Sequence, residues 1–121
     1  MTLAVAAAFE AAFHRKPTAE EVGRLERVMD VLDVRENDEW RAGHAANAVH
    51  IPLGEVVGRV AELPRDRRIV CVCRSGNRSS RVTAWLLQQG FDAVNMSGGM
   101  THWAAFGHPL VNQTGAVGVV I

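Results

Sequence analysis

The strongest constraint on the fold is an alternation of short apolar runs with helix-patterned or polar stretches. The runs are Val31, Leu32 and Val34 within MDVLDVRE, AVHIP ending at Pro52, IVCVC from Ile69 to Cys73, and Phe91 to Met96. Nearly continuous apolar runs of this length suit strands covered on both faces, as in a parallel sheet. Strands that alternate with helices at this spacing predict an α/β domain with a mostly parallel central sheet of about four to five short strands. Short right-handed crossovers then place the functional loops at the carboxyl ends of the strands. Cys73 sits at such an end, and so do Asp33 and Arg35.

The connecting segments carry their own signals. Residues 2 to 14 predict a helix with Val5, Phe9, Ala12 and Phe13 on one stripe, ended by Pro17. Thr18 and Glu21 form a capping-box pattern, and Val22, Leu25, Val28 and Met29 continue a second helical repeat. A polar stretch runs through Trp40 and Gly43. Residues 53 to 62 predict a short helix before Pro64 and an arginine-rich turn. The clearest helix is expected over 79 to 89, opened by Ser79 and Ser80, closed by Gly90, with Val82, Trp85, Leu86 and Gln89 on one face. Gly98-Gly99 reads as a tight turn and Met100 to Phe106 as a last helix. The expected organisation is an N-terminal helical extension over 1–16, one domain over 17–110, and a tail over 111–121 that is irregular or an edge segment.

Length and charge narrow the functional classes. A chain of 121 residues is long enough to enclose one core without disulfides or metal. Its formal net charge is zero, so no global field draws it to nucleic acid or an anionic membrane. Nearly all its basic residues are arginine, whose planar fork of donors suits oxyanions, and several cluster near Cys73. No apolar run approaches the ~20 residues that span a bilayer, and the N-terminus lacks the leading positive charge of a signal peptide. The two cysteines, separated by one residue, make a poor disulfide framework and are read as free thiols in a cytoplasmic, reducing setting. The five histidines have no metal-site spacing, and no glycine-rich nucleotide fingerprint is present. Neither metal nor cofactor is expected.

The stretch IVCVCRSGNRSSRV concentrates the chemistry. A thiol at a strand's end, with a helix starting just beyond, faces the unpaired amides and positive end of that helix. Loop amides that wrap the sulfur would form a nest of donors, and Arg74 and Arg78 add positive charge. All three effects favour the thiolate of Cys73 and should lower its pKa below the free value of ~8.5. Cys71 lies inside the apolar run, where a small hydrophobe belongs, and reads as inert, with a resolving thiol as the alternative. Loop length separates two chemistries. Phosphatases that form a cysteinyl phosphate have Cys, five residues, then Arg. Here Arg78 follows Cys73 after four residues and the next position is Ser79, so the cradle suits a smaller guest such as one sulfur atom.

From about Met29 to Phe106 the chain resembles the rhodanese family of sulfurtransferases. The resemblance is carried by LDVRE (Leu32 to Glu36), WRAGH (Trp40 to His44), NAVHIPL (Asn47 to Leu53), CRSGNRS (Cys73 to Ser79), Gly90-Phe91, and GGMTHW (Gly98 to Trp103). It implies a parallel sheet with helices on both faces and Cys73 as the sulfur-accepting nucleophile. It also implies a double displacement in which Cys73 takes the sulfane sulfur of a donor such as thiosulfate, then passes it from a persulfide to a thiophilic acceptor. In that reading Arg74, Ser75, Gly76, Asn77 and Arg78 form the anion-binding loop, and Arg74 with Arg78 orients the donor's sulfonate. Asp33, Arg35 and His44 are expected to support the site structurally, while Trp103 either closes the pocket or packs beneath the last helix. Ala45-Ala46 and His102 depart from the usual pattern.

The partners expected are a small sulfur donor and a thiol or protein-cysteine acceptor, with no nucleic acid and no membrane, for a monomer or homodimer. A rival reading is a non-catalytic rhodanese-like module that binds a partner or senses redox state. A cysteine-based phosphatase or arsenate reductase is disfavoured by loop length.

Overall fold

A computed structural model describes residues 29–121. The helices expected over 2–14 and after Thr18 lie outside the described residues, although Met29, read as the end of the second, opens the first strand. In chain order the elements are β1 (Met29–Asp33), α1 (Asn37–Ala42), β2 (Val49–His50), β3 (Arg68–Val72), α2 (Asn77–Gln88), β4 (Ala93–Asn95) and α3 (Gly99–Ala105). The four strands form one parallel sheet in the order β2-β1-β3-β4.

Period-two alternation along the two central strands sorts the core into two layers. Leu32, Val34, Ile69, Cys71 and Cys73 point to one face, where they meet Val82 and Leu86 of α2. Val31, Val70 and Val72 point to the other, against Met100 and Trp103 of α3. Both faces are therefore covered, which explains why these strands read as continuous apolar runs. The order 2-1-3-4 reverses direction between β1 and β3. In doubly wound sheets such a reversal marks where ligands bind, at the carboxyl ends of the strands. Arg35 follows β1 and Cys73 follows β3, so both stand at the switch point.

Several local expectations change. The polar stretch before Gly43 contains α1, a six-residue helix with no buried residue, which leaves no apolar stripe to read. Residues 53 to 62 are not one helix. They form two 3-10 turns, Leu53–Glu55 and Val60–Glu62, and Gly54 and Gly58 disfavour a continuous α-helix through them. Helix α2 starts two residues earlier than expected, with Gly76 rather than a serine at its N-cap in the left-handed conformation (φ 108°). The Gly98-Gly99 pair is the N-cap and first residue of α3. The tail folds back on α1. His44 and Val111 exchange backbone hydrogen bonds at 2.9 Å in each direction, and the Val119 amide donates to Ala42 O at 2.9 Å. Among the described residues no helix is long and apolar enough to cross a membrane.

Candidate active site

Strand β3 delivers Cys73 to the switch point with its side chain on the α2 face, and 1% of the residue is exposed. The chain then turns through Arg74 and Ser75 into Gly76, whose positive φ points its amide back at the sulfur. The Gly76 N–H donates to Cys73 Sγ at 3.1 Å. One turn into α2, Ser79 Oγ lies 3.3 Å from the same sulfur. Burial pushes the Cys73 thiol up, but the Ser79 hydroxyl and the amides of Ser79, Gly76 and Ser75 outweigh it and hold the pKa below the ordinary thiol value. The donors that act most strongly are thus a hydroxyl and main-chain amides rather than the two arginines.

Ser79 also reaches Asn95 at the end of β4, with 2.5 Å between Oγ and Asn95 Oδ1. A serine hydroxyl has one proton, so it serves the sulfur or the amide oxygen but not both at once. The Asn95 side-chain N–H donates to Gly76 O at 3.1 Å, which holds the loop's turn from the neighbouring strand. From the other side, α3 pins the loop's carbonyls. Met100 N–H donates to Cys73 O at 2.8 Å, and the Thr101 amide and hydroxyl donate to Arg74 O at 3.0 and 2.9 Å. A Cβ at Gly99 would run into the Cys73 carbonyl, and Gly99 itself has φ +51°, so only glycine fits this approach.

Asp33 and Arg35 are buried together at the end of β1. Arg35 Nε and Nη2 donate to the Asp33 carboxylate at 2.8–3.1 Å, and Nη2 also donates to Gly43 O at 2.8 Å. The pair ties the end of β1 to the end of α1, and its charges leave the solvent compensated. His44 donates Nδ1–H to Trp40 O at 2.7 Å, and His50 donates Nε2–H to Arg35 O at 2.8 Å. Trp40 stacks on both imidazoles, with ring centroids at 3.7 and 4.5 Å. Trp103 packs in the core on the α3 face, and its indole N–H donates to Pro109 O at 3.1 Å.

Arg74 is exposed and has no carboxylate partner among the described residues. Arg78 is not free: its Nη1 and Nη2 donate to the two Glu39 carboxylate oxygens at 2.6 and 2.9 Å. The loop therefore offers one uncompensated guanidinium, not the two expected from CRSGNRS. Ser75 and Asn77 are exposed at its rim, while Ser80 Oγ donates to Asn77 O at 2.7 Å. Burial pushes the Cys71 thiol up to about 11, only partly offset by a hydrogen bond with Thr83.

Residues 18–106 match the family model described as Rhodanese-like domain. The chain belongs to the rhodanese-like domain family. It is 40% identical over 95 residues to a sulfurtransferase of Allochromatium vinosum, covering 76% of this chain and 89% of that protein. It is 34% identical over 86 residues to the thiosulfate sulfurtransferase GlpE of Pseudomonas paraeruginosa, covering 70% and 77% of the two chains. The crystal structure of a rhodanese-related protein from Thermoplasma volcanium superimposes with a TM-score of 0.69 at 34% identity, covering 80% of this chain and 97% of that one. The family is one whose relatives include sulfurtransferases, and the rhodanese-like architecture is the one described above.

Three residues at this rhodanese-like site escaped sequence reasoning. Ser79 has the signature of a helix opener, since serine favours N-caps, but its hydroxyl turns to the sulfur instead. Asn95 ends an apolar run and had no local partner to betray it. Glu39 had a usable signal, since Asp38 and Glu39 ahead of Arg41 is the charge order of a short helix.

Proposed function

We propose that this rhodanese-like protein is a sulfurtransferase that works through a persulfide on Cys73. The reading rests on one observation: a thiol at a strand's end whose sulfur is held by the Gly76 amide at 3.1 Å and faced by the Ser79 hydroxyl at 3.3 Å. In the first step the Cys73 thiolate attacks the outer sulfur of thiosulfate or a related donor. A Cys73 S–S bond forms, the donor's S–S bond breaks, and sulfite leaves with the electron pair. In the second step a thiophile attacks the outer sulfur of the persulfide, takes it, and returns Cys73 as thiolate. Cyanide serves as acceptor in vitro, yielding thiocyanate, and a thiol or protein cysteine serves in the cell. No proton, oxidant or metal is required for either displacement.

The loop donors stabilise the negative charge that moves from the thiolate to the outer sulfur and back, the role that preorganised dipoles play in anionic transition states. Arg74 supplies the free positive charge for the donor's sulfonate. The loop between Cys73 and Arg78 is one residue shorter than the phosphatase pattern, which favours a sulfur atom over a phosphoryl group as guest.

The test is incubation with thiosulfate followed by intact mass. The expected result is one added sulfur on the protein, stoichiometric sulfite release, and neither in Cys73→Ser. A folded protein that gains no sulfur and releases no sulfite would make the fold a non-catalytic module. Cys73-dependent hydrolysis of an aryl phosphate would make it a phosphatase.

A further inference from the structure

The loop's second arginine is occupied before any substrate arrives. Glu39 is the third residue of α1. Its Oε1 accepts the Glu36 amide at 3.1 Å as well as the Arg78 guanidinium, so the capping box fixes the carboxylate in place. Both oxygens are engaged, and the side chains of Arg78 and Glu39 are 31% and 13% exposed. A bidentate pair of this kind is a dipole rather than a free charge, and its attraction for a distant anion falls off steeply. The exposed N-cap residue Glu36 adds a second carboxylate that acts on Arg78. Arg78 feels the Cys73 thiolate and Glu36 as well as Glu39, so the pair lies within electrostatic range of the reacting sulfur.

We propose that Glu39 sets the charge selectivity of the Cys73 site: by neutralising Arg78 it leaves Arg74 as the loop's one free cation and favours monoanionic sulfane-sulfur donors over dianionic ones. This rests on the sulfurtransferase reading of Cys73. Thiosulfate brings two negative charges to the loop. An alkyl persulfide or an alkanethiosulfonate brings one. With a thiosulfonate the step is the same displacement: the Cys73 thiolate forms an S–S bond to the outer sulfur, the donor's S–S bond breaks, and the sulfinate leaves with the electron pair. With a persulfide the leaving group is a thiolate. The charge on the protein side is unchanged in each case, so the difference between donors is the work of bringing the second charge past Glu39.

Glu39→Gln tests this, because glutamine keeps the capping-box acceptor and a hydrogen bond to Arg78 while removing the charge. Wild type and variant are compared at low ionic strength for kcat/KM with thiosulfate and with sodium methanethiosulfonate. The variant is expected to raise the thiosulfate value about fivefold and the thiosulfonate value about twofold, and 0.5 M salt should shrink both gains. A second readout needs no turnover: the rates of Cys73 alkylation by iodoacetate and by iodoacetamide, reagents of similar size that differ by one charge. Their ratio should rise about threefold in the variant. Unchanged ratios in both assays overturn the proposal. An equal fall with both donors and a lower Tm also overturns it and makes Glu39 a purely structural residue. If wild type turns over neither donor, the sulfurtransferase reading fails. The alkylation ratio then still decides whether Glu39 controls charge at Cys73.

Discussion

Cys71 and Cys73 lie two residues apart on one face of β3, in the same core cluster and almost equally buried, yet their thiols are moved in opposite directions. Burial is common to both and raises both. Two things differ: Cys71 inside the strand is surrounded more completely than Cys73 at its end, and the supply of donors is not the same. Inside the strand, β3 pairs with β1 on one side and β4 on the other, so its amides are committed to the ladder and Cys71 finds only Thr83. Past the strand's end the ladder stops and the turn into α2 has unspent amides, which converge on Cys73 with the Ser79 hydroxyl. The lowered pKa of Cys73 is thus a property of where the strand ends.

The largest expected effect is at the reactive thiol. Cys73→Ser should lower thiosulfate turnover by at least about a thousandfold, since a serine hydroxyl cannot carry the sulfane sulfur, with Tm nearly unchanged. Cys71→Ala should leave turnover within about twofold. If the two variants lose activity equally, the division between the cysteines is wrong.

The next effect isolates the donor supply. Ser79→Ala removes one donor to Sγ and should raise the pH midpoint of Cys73 alkylation from its lowered wild-type position back towards that of an ordinary thiol. The sign follows from titration: alkylation and kcat/KM rise with pH as the thiol ionises, so an upward shift cuts the thiolate fraction at neutral pH. A loss in kcat/KM that is largest at the acidic end of the profile and disappears at alkaline pH is the expected signature. A loss that persists at alkaline pH would place Ser79 in the packing rather than in the charge balance.

The smallest effect belongs to Cys71 and concerns stability. Its folded-state pKa of about 11 lies above the ~8.5 of an unfolded chain. Between those values the unfolded state has lost the proton and the native state retains it, so this group's contribution to stability falls as pH rises. The total is about 3 kcal/mol at most. Thermal unfolding measured from pH 8 to 10.5 should show a shallower decline in Cys71→Ala than in wild type. Equal slopes would mean that Cys71 is not held protonated by its burial.

Much of this was legible in the sequence. The apolar runs located all four strands, most clearly the central pair β1 and β3 whose two faces are covered, and Cys73 at the end of β3 marked the loop. Other features left no trace in any single segment. Helix α1 buries nothing, so it has no periodicity. The turn at Gly76 moved the start of α2 forward and so turned Ser79 from a cap into a partner of the sulfur. Asn95 and Ser79 are sixteen positions apart, and Glu39 and Arg78 thirty-nine, and only strand order brings each pair together.

The sequence by itself determined the class of fold and marked Cys73 as the candidate nucleophile, because hydrophobic patterning and a strand-to-helix turn are local properties of contiguous residues. The tertiary structure alone decided how that thiol is tuned. Hydrogen bonds and ion pairs act over a few ångströms, and which groups come that close depends on the parallel order β2-β1-β3-β4. That order sets α1 and β4 beside the loop, giving Arg78 a carboxylate and Ser79 an amide, and leaves Arg74 as the free charge that CRSGNRS alone would have assigned to two arginines.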